Sequence, residues 1–287
     1  MSADFAGLCV LALESRRAQE IAKLIASNGG QPRVVSSVRE LPLASNREAL
    51  DFARQLAEGR IDMVIFMTGV GVRLLVRIVE TTYPVEKLVV ALSKIPLIAR
   101  GPKPSAVLRE LNVPIAAIVP EPNTWREILT VFDQQSASLP LEQRRVAIQE
   151  YGVSNPELVA GLEQRGAVVI PVPVYEWALP EDTGPLQDTV AAILRGEIEV
   201  FLVTAAVQIR HLFAVAEEMG LGEKLGAALA RVVIGSIGPL TSEELARHGL
   251  SADMEPSHPK MGILVKEAGE QAATLLRKKR ACTPPAT

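Results

Sequence analysis

Short apolar runs alternate with helical patterns along this chain. Residues 8–13 are too uniformly apolar for a half-exposed strand, and a helical pattern follows them and ends at Gly29 and Gly30. The same order recurs after residue 145, with Pro156 in the predicted first helical turn. Further strands are predicted at residues 33–38, 63–66, 95–99, 145–148, 167–174, 200–203 and 231–234. Strands that alternate with helices in this way predict parallel sheets covered on both faces.

The pattern occurs twice at a constant offset. Residues 61–75 are echoed by 198–212, residues 101–105 by 238–242, and Gly29 by Gly166, each 137 positions later. Insertions would have broken this offset, so the chain contains two copies of one α/β unit. We therefore predict an α/β fold made of two similar parallel-sheet lobes with a cleft.

Two extended segments ending in or near proline, residues 39–43 and 175–180, occupy matching positions in the two copies. If both cross between lobes, they form a two-strand hinge. Residues 1–39 with 179–275 then build one lobe and residues 44–174 the other. The alternative is two sequential domains divided near residues 139–140. Residues 276–287 are charged and then rich in proline and threonine, which is typical of a tail or a severed linker.

Composition narrows the function classes. The chain has 287 residues, of which 48% are hydrophobic, without an apolar run of about 18 residues or a leader pattern, so we expect a cytoplasmic protein without a membrane partner. Cys9 and Cys282 lie at opposite ends and the three histidines are scattered, which predicts no metal site. A net charge of −3 does not favour nucleic-acid binding by this chain, although residues 277–280 are basic.

Four predicted strand-to-helix loops carry the candidate chemistry, because ligands of open parallel sheets lie at the carboxyl ends of the strands. They are residues 68–72, 100–105, 204–207 and 235–241. Their backbone N–H groups and helix dipoles suit carboxylates or phosphates, but glycine, serine and threonine also serve as ordinary turn and cap residues. Neither a GxGxxG nor a GxxxxGK[ST] fingerprint is present.

Taken in order, these segments resemble the uroporphyrinogen-III synthase family over residues 10–268. The matching segments are Arg16 with the following helix, 66–72, 101–103, 149–152, 172–175, 203–206, 237–245 and Gly249. The resemblance implies cyclisation of the linear tetrapyrrole hydroxymethylbilane to uroporphyrinogen III, with inversion of ring D, loss of water and no cofactor. Catalysis would then consist mainly of holding a flexible substrate so that its ends meet.

The resemblance also implies site residues. Tyr175 falls on the family tyrosine considered as general acid, and phenols are ordinarily protonated below a pH of about 10; the alternative is a strand tyrosine that anchors a linker. The other implied residues would bind substrate, although Thr68, Thr204 and Thr241 are also suited to capping helices. This set is Arg16, Thr68, Gly69, Val70, Gly71, Gly101, Lys103, Tyr151, Gly152, Thr204, Ala205, Ala206, Gly238, Leu240 and Thr241.

The chain departs from the family pattern at Pro104, Leu240, Ala205 and Gln149, where hydroxyl groups or an arginine are usual. Two alternatives therefore remain beside the enzyme. One is a catalytically weak, tetrapyrrole-binding regulatory module with a fused or lost C-terminal DNA-binding domain, which the basic tail favours. The other is a generic two-lobed small-molecule binder. We expect a monomer.

Overall fold

The computed structural model describes residues 4–42, 46–150, 152 and 154–282. The first copy contains β1 (Cys9–Ala12), α1 (Ala18–Ser27), β2 (Gln31–Val34), β3 (Arg39–Pro42), α2 (Arg47–Ala57), β4 (Met63–Phe66), α3 (Gly69–Glu80), α4 (Val85–Leu92), β5 (Leu97–Ala99), α5 (Pro102–Glu110), β6 (Ala117–Ile118) and α6 (Trp125–Gln134). The second contains β7 (Arg145–Gln149), α7 (Pro156–Glu163), β8 (Val168–Val172), β9 (Tyr175–Ala178), α8 (Gly184–Leu194), β10 (Val200–Val203), α9 (Ala206–Glu218), α10 (Gly222–Leu229), β11 (Val233–Ser236), α11 (Pro239–Arg247) and α12 (Met261–Cys282).

The offset of 137 recurs between these bounds. Helices α8, α10 and α11 begin and end 137 residues after α2, α4 and α5, and β10 stands in the same relation to β4. Strand β7 departs from this offset by one residue. Val146 pairs with Met63 and Val169, whereas Val10 pairs with Val200 and Pro32, which places β7 at an offset of 136 from β1. The predicted internal repeat thus extends to the order of elements, except that the counterpart of β6 is an isolated bridge between Met254 and Gly235.

The chain divides into two compact units, Met1–Arg39 with Ala178–Thr287 (unit 1) and Glu40–Trp177 (unit 2). Unit 1 contains the sheet β11-β10-β1-β2, and unit 2 contains the sheet β6-β5-β4-β7-β8. All the described pairings within these sheets are parallel, which confirms the predicted fold class. Strands β3 and β9, where the chain passes between the units, pair as a two-stranded sheet. Motion at these strands, as a hinge, stays a prediction.

Each unit buries apolar side chains on both faces of its sheet. Phe201 and Val203 of β10 point to one core of unit 1, while Val200 and Leu202 point to the other. In unit 2, Val64 and Ile65 of β4 likewise belong to different cores. This explains why the strands are uniformly apolar rather than alternating, since a parallel sheet covered by helices has no solvent face.

Two element predictions are corrected. Strand β2 covers residues 31–34 rather than 33–38, and it includes Pro32, which an edge strand accommodates. The prediction that residues 276–282 form a tail or linker is wrong, because α12 continues to Cys282. Lys279 Nζ lies 2.7 Å from both the Val232 carbonyl and an Asp253 carboxylate oxygen of unit 1, and it donates to the former. The end of the predicted tail, residues 283–287, lies outside the described residues.

Candidate functional site

The N-terminus of α3 is the first part of the candidate site, and Thr68 caps it. Thr68 has extended backbone angles, and its Oγ1 accepts a hydrogen bond from the Gly71 N–H at 3.0 Å. The N–H groups of Gly69 and Val70 have no acceptor within the helix, because α3 begins at Gly69. These two groups and the helix dipole are therefore what this end of α3 offers to an anion.

Tyr175 lies beside this cap. Its hydroxyl oxygen is 3.4 Å from Thr68 Oγ1, although 107 positions separate the two residues in sequence. Tyr175 is only 3% exposed and belongs to the apolar core of unit 2, where its ring is tilted against Trp177 with 6.4 Å between centroids. Thr68 is half-buried and thus more accessible than the phenol. The structure brings these two predicted residues together.

Gln149 completes this cluster and was not predicted as a site residue. It ends β7, which pairs with β4, and its side chain is fully buried. Its Oε1 accepts from the Thr68 N–H at 3.3 Å, and its Nε2 donates to the Glu150 carbonyl. The amide also occupies the space that a Cβ on Gly71 would need. A polar residue directly after the apolar residues 146–148 of β7 is the signal in the sequence that could have identified it.

The loop after β7 lies against the same strand as Tyr175. Gly152 adopts a positive φ of 77°, forms a parallel bridge with Glu176, and packs so closely on the Trp177 ring that a Cβ would overlap it. Burial raises the pKa of Glu150, and a hydrogen bond from Ser154 opposes the shift. Tyr151, a predicted substrate-binding residue, lies outside the described residues.

Helix α5 offers fewer donors than the sequence suggested. Gly101 is its N-cap, with a φ of 87°, and its N–H already donates to the Ala99 carbonyl at 2.7 Å. Pro102 and Pro104 are the first and third helical residues and have no N–H. Lys103, which is exposed, therefore carries the single N–H of these first three residues. The expectation of a donor-rich loop at residues 100–105 is wrong.

In unit 1, the N-terminus of α9 already holds side-chain partners. The N-cap is Ala205, which lacks a hydroxyl, and Gln208 Oε1 accepts from the N–H groups of Thr204 at 2.9 Å and Ala205 at 3.2 Å. The Thr204 hydroxyl donates to Glu14 Oε2 at 2.7 Å. A carboxylate thus lies close to the helix end that was predicted to bind substrate carboxylates. Ala206 and Val207 carry the first two N–H groups of this helix.

Helix α11 begins after Gly238, whose φ of 163° is ordinary extended backbone. Thr241 is only 3% exposed, and its N–H donates to the Gly238 carbonyl at 3.0 Å. Leu240, one residue earlier in the first turn, has an N–H without an acceptor in the helix. Ser242 donates to Ser236 Oγ at 2.9 Å. Arg16, the remaining predicted residue, is exposed and precedes the N-cap of α1.

A family model decides what this arrangement belongs to. The model described as uroporphyrinogen-III synthase HemD matches residues 19–266. The chain belongs to the uroporphyrinogen-III synthase family. The resemblance stated from the sequence is thereby confirmed, and so is the prediction of an enzyme of this family.

Solved structures of a uroporphyrinogen III synthase match the chain over most of their lengths, and so does a curated relative whose name states no function. A crystal structure of a mutant uroporphyrinogen III synthase from Thermus thermophilus (Form-1) is 27% identical, with a TM-score of 0.71, and covers 95% of this chain and 100% of its own. The wild-type Form-2 crystal structure of that protein is also 27% identical, with a TM-score of 0.55. It covers 96% of this chain and 100% of its own. "Uncharacterized protein YjjA" of Bacillus subtilis is 27% identical over 254 residues, 88% of this chain and 92% of the relative.

The predicted site residues fall into two sets, one in each unit. Most lie at the N-termini of α3, α5, α9 and α11, each of which follows a strand of a parallel sheet. Tyr175 and Gly152 join the set of unit 2. Within residues 4–42, 46–150, 152 and 154–282, no helix is long and apolar enough to cross a membrane. Over those same ranges, His, Cys, Asp and Glu form no group of three or more suited to a metal ion.

Proposed function

We propose that the chain cyclises hydroxymethylbilane to uroporphyrinogen III, with inversion of ring D. In this reaction the C–O bond of the hydroxymethyl group breaks, and its oxygen takes up a proton and leaves as water. The freed methylene carbon bonds to the substituted α-carbon of ring D, and the bond from that carbon to the methylene of the neighbouring ring breaks. That methylene then bonds to the other α-carbon of ring D, which releases one proton, so the net change is one new C–C bond, a closed macrocycle and an inverted ring D. The protein must therefore donate a proton to a poor leaving group and hold two ends of one molecule together.

The observation that carries the proposal is the contact between Tyr175 and Thr68 at the carboxyl end of β4. A hydroxyl group accepts two hydrogen bonds and donates one. Thr68 Oγ1 accepts from Gly71 and, in the proposal, from Tyr175, so its own proton is available to the leaving hydroxyl. Tyr175 thus acts as the general acid through Thr68, which fits the burial of the phenol and the half exposure of Thr68.

Substrate carboxylates would be held by main-chain N–H groups at helix ends. Those without an intrahelical acceptor belong to Gly69 and Val70 of α3, Lys103 of α5, Ala206 and Val207 of α9, and Leu240 of α11. Most of the remaining predicted residues lie in or beside the same turns: Gly71, Gly101, Thr204, Ala205, Gly238 and Thr241. Gly152 instead packs against Trp177 in the strand of Tyr175. Arg16, being exposed, contributes a positive charge.

Two features favoured the regulatory-module alternative: the departures from the family pattern, which remain, and the basic stretch before the C-terminus. The basic stretch that suggested a linker is helical as far as Cys282, and Arg280 pairs with Glu199 of unit 1 at 3.1 Å. A fused DNA-binding domain and a monomeric state stay predictions.

The test is the isomer that forms. Hydroxymethylbilane, generated enzymatically, cyclises to isomer I without assistance, so purified protein should direct it to isomer III. The two isomers are separated by chromatography after oxidation to the porphyrins. The proposal predicts that the III fraction rises with protein concentration and is lost on heat denaturation; formation of isomer I alone at every protein concentration would overturn it.

A further inference from the structure

Gln149 is a fully buried polar side chain whose amide is used at both ends. The oxygen holds the Thr68 N–H and the nitrogen donates to the Glu150 carbonyl. Burying an amide without partners is costly, so both bonds fix its orientation. Because Thr68 is the N-cap of α3, the contact ties the end of β7 to the start of that helix.

The glycine at position 71 makes this contact possible. A Cβ at that position would overlap the Gln149 amide, so only glycine leaves the space in which the amide lies. Gly71 is also the residue whose N–H binds Thr68 Oγ1. Gln149 therefore contacts both backbone segments that set the position of the Thr68 hydroxyl.

Unit 1 reaches the same result from a different position. The residue 137 positions after Gly71 is Gln208, and its Oε1 accepts from the N–H of Ala205, the counterpart of Thr68. Leu13, the residue after β1, is the counterpart of Gln149, because β7 follows β1 at an offset of 136. Leu13 is fully buried. Both units thus supply a glutamine oxygen to the N-cap N–H, one from the neighbouring strand and one from the helix itself.

We propose that Gln149 is a positioning residue for the proton path from Tyr175 through Thr68. This inference rests on the proposed function. With its backbone N–H held by Gln149 and its Oγ1 by the Gly71 N–H, Thr68 keeps its hydroxyl beside the phenol. Loss of the amide would free the cap to rotate and would misplace the hydroxyl without removing any group that touches substrate.

The first test compares Gln149→Leu with Gln55→Leu. Gln55 is a matched control, because it accepts a hydrogen bond from Arg145 at the opposite end of β7, at 2.7 Å. Gln149→Leu should lower kcat for the III isomer by about 10- to 100-fold, the scale of a small misplacement of a catalytic group, with KM little changed. An equal loss in both variants, or a loss confined to KM, would overturn the inference.

The second test transfers the arrangement of unit 1 into unit 2. In Gly71→Gln/Gln149→Leu, the glutamine at position 71 should reach back to the Thr68 N–H as Gln208 does to Ala205, while leucine fills the space as Leu13 does. We expect the double variant to recover most of the turnover that Gln149→Leu loses. Gly71→Gln alone should stay impaired, since two amides then compete for one space. A double variant no better than Gln149→Leu would contradict the role of the amide oxygen.

A readout without turnover separates this inference from the proposed function. The chain has three tyrosines, so the ring Cζ signals of ¹³C-labelled protein are few and Tyr175→Phe assigns one of them. Gln149→Leu should shift the Tyr175 signal, whereas Gln55→Leu should not. An unchanged Tyr175 signal would refute positioning even in an active enzyme. If wild-type protein forms no isomer III, the proposed function fails, but the NMR comparison still decides whether Gln149 places Thr68 against the phenol.

Discussion

The N-termini of α3 and α9 have nearly the same backbone and different chemistry. Each helix follows a fully buried four-residue strand, and each N-cap N–H is bound by a glutamine oxygen. In unit 2 the cap is a threonine in contact with a tyrosine hydroxyl. In unit 1 the cap is alanine, and the residue 137 positions before Tyr175 is Val38. The repeat has kept the scaffold in both units, but only one copy of this helix end carries a hydroxyl next to a phenol.

The charges at the two ends differ as well. Thr204, which precedes the cap of α9, donates its hydroxyl to Glu14, whose other carboxylate oxygen accepts from the Arg17 N–H at 3.3 Å. The α3 end instead has hydroxyl and amide groups as its described side-chain partners. An anionic substrate should therefore be received better at α3 than at α9, because a fixed carboxylate repels it at α9. The two ends are related by descent from one pattern, but they are not equivalent binding sites.

The largest expected effect is that of Tyr175→Phe, which removes the phenol that unit 1 lacks. If Tyr175 supplies the proton, kcat for isomer III should fall by about 100-fold or more, the scale of general acid catalysis. Substrate affinity should stay near that of the wild type, since the ring still packs in the core of unit 2. Rapid-quench kinetics with isomer analysis measures kcat and KM separately.

Tyr83→Phe is the matched control, because Tyr83 is a half-buried tyrosine that packs against the same core at the end of α3. It should leave turnover unchanged. Near-normal turnover in Tyr175→Phe, together with a stability loss of about 1 kcal/mol for one missing hydrogen bond, would instead identify a structural tyrosine.

Local pattern predicted the elements, and long-range pairing decided the site. The offset of 137 and the apolar runs predicted most of the strands and the parallel sheets, but they gave the wrong bounds for β2 and missed the helix at residues 276–282. The role of Gln149 depends on β7 lying beside β4, and its contact with Thr68 joins residues 81 positions apart. Glu14 and Thr204 are 190 positions apart. No local sequence motif predicts such contacts.

The C-terminal helix shows the same limit. Its basic residues and the nearby prolines are typical of a linker, but Lys279 and Arg280 find partners 47 and 81 positions away in unit 1. Composition predicts whether a segment is soluble when alone. It does not predict whether a carboxylate or carbonyl elsewhere in the fold accepts from the basic residues of the segment. The helix itself is anchored by buried apolar side chains, among them Leu264 and Val265.

Gly71→Ala probes the space that unit 2 reserves for Gln149. The added Cβ would overlap the Gln149 amide, so either the amide or α3 must move. Overpacking of this kind typically costs about 1–3 kcal/mol. Urea unfolding should show a lower midpoint. Gly226→Ala is the control, because a Cβ there meets nothing within 4 Å in α10 and alanine favours helices by roughly 1 kcal/mol. Equal behaviour of the two variants would mean that the Gly71 space is not required.

Glu14→Gln should make the α9 end more like the α3 end. Removing the carboxylate leaves the Thr204 hydroxyl with a neutral acceptor and lets the helix dipole act on substrate. The interaction of a charge with a helix end contributes about 0.3–1 kcal/mol, which corresponds to a roughly two- to fivefold tighter Kd for hydroxymethylbilane or its product. Calorimetry at low and high salt measures it, and the gain should shrink with salt. Glu20→Gln, on the exposed face of α1, serves as control; the same gain there would indicate net charge rather than this helix end.

The smallest expected effect is on how the stability of the protein depends on pH, and it arises from a histidine of unit 1. Burial lowers the pKa of His211 from its ordinary value of 6.5, while the bond from Nδ1 to the Ser37 carbonyl, 2.6 Å long, opposes the shift and the charge of Arg210 adds to it. A histidine with a lowered folded pKa favours the folded state above pH 6.5. That contribution is lost as the pH falls from 6.5 towards the folded pKa, because the unfolded chain then binds the proton first. His211→Asn, whose amide nitrogen can still donate to Ser37, should reduce the drop in Tm between pH 7.5 and pH 5.5. The exposed His258 gives the control His258→Asn. If both variants keep the full drop, groups other than His211 cause the acid sensitivity of the chain.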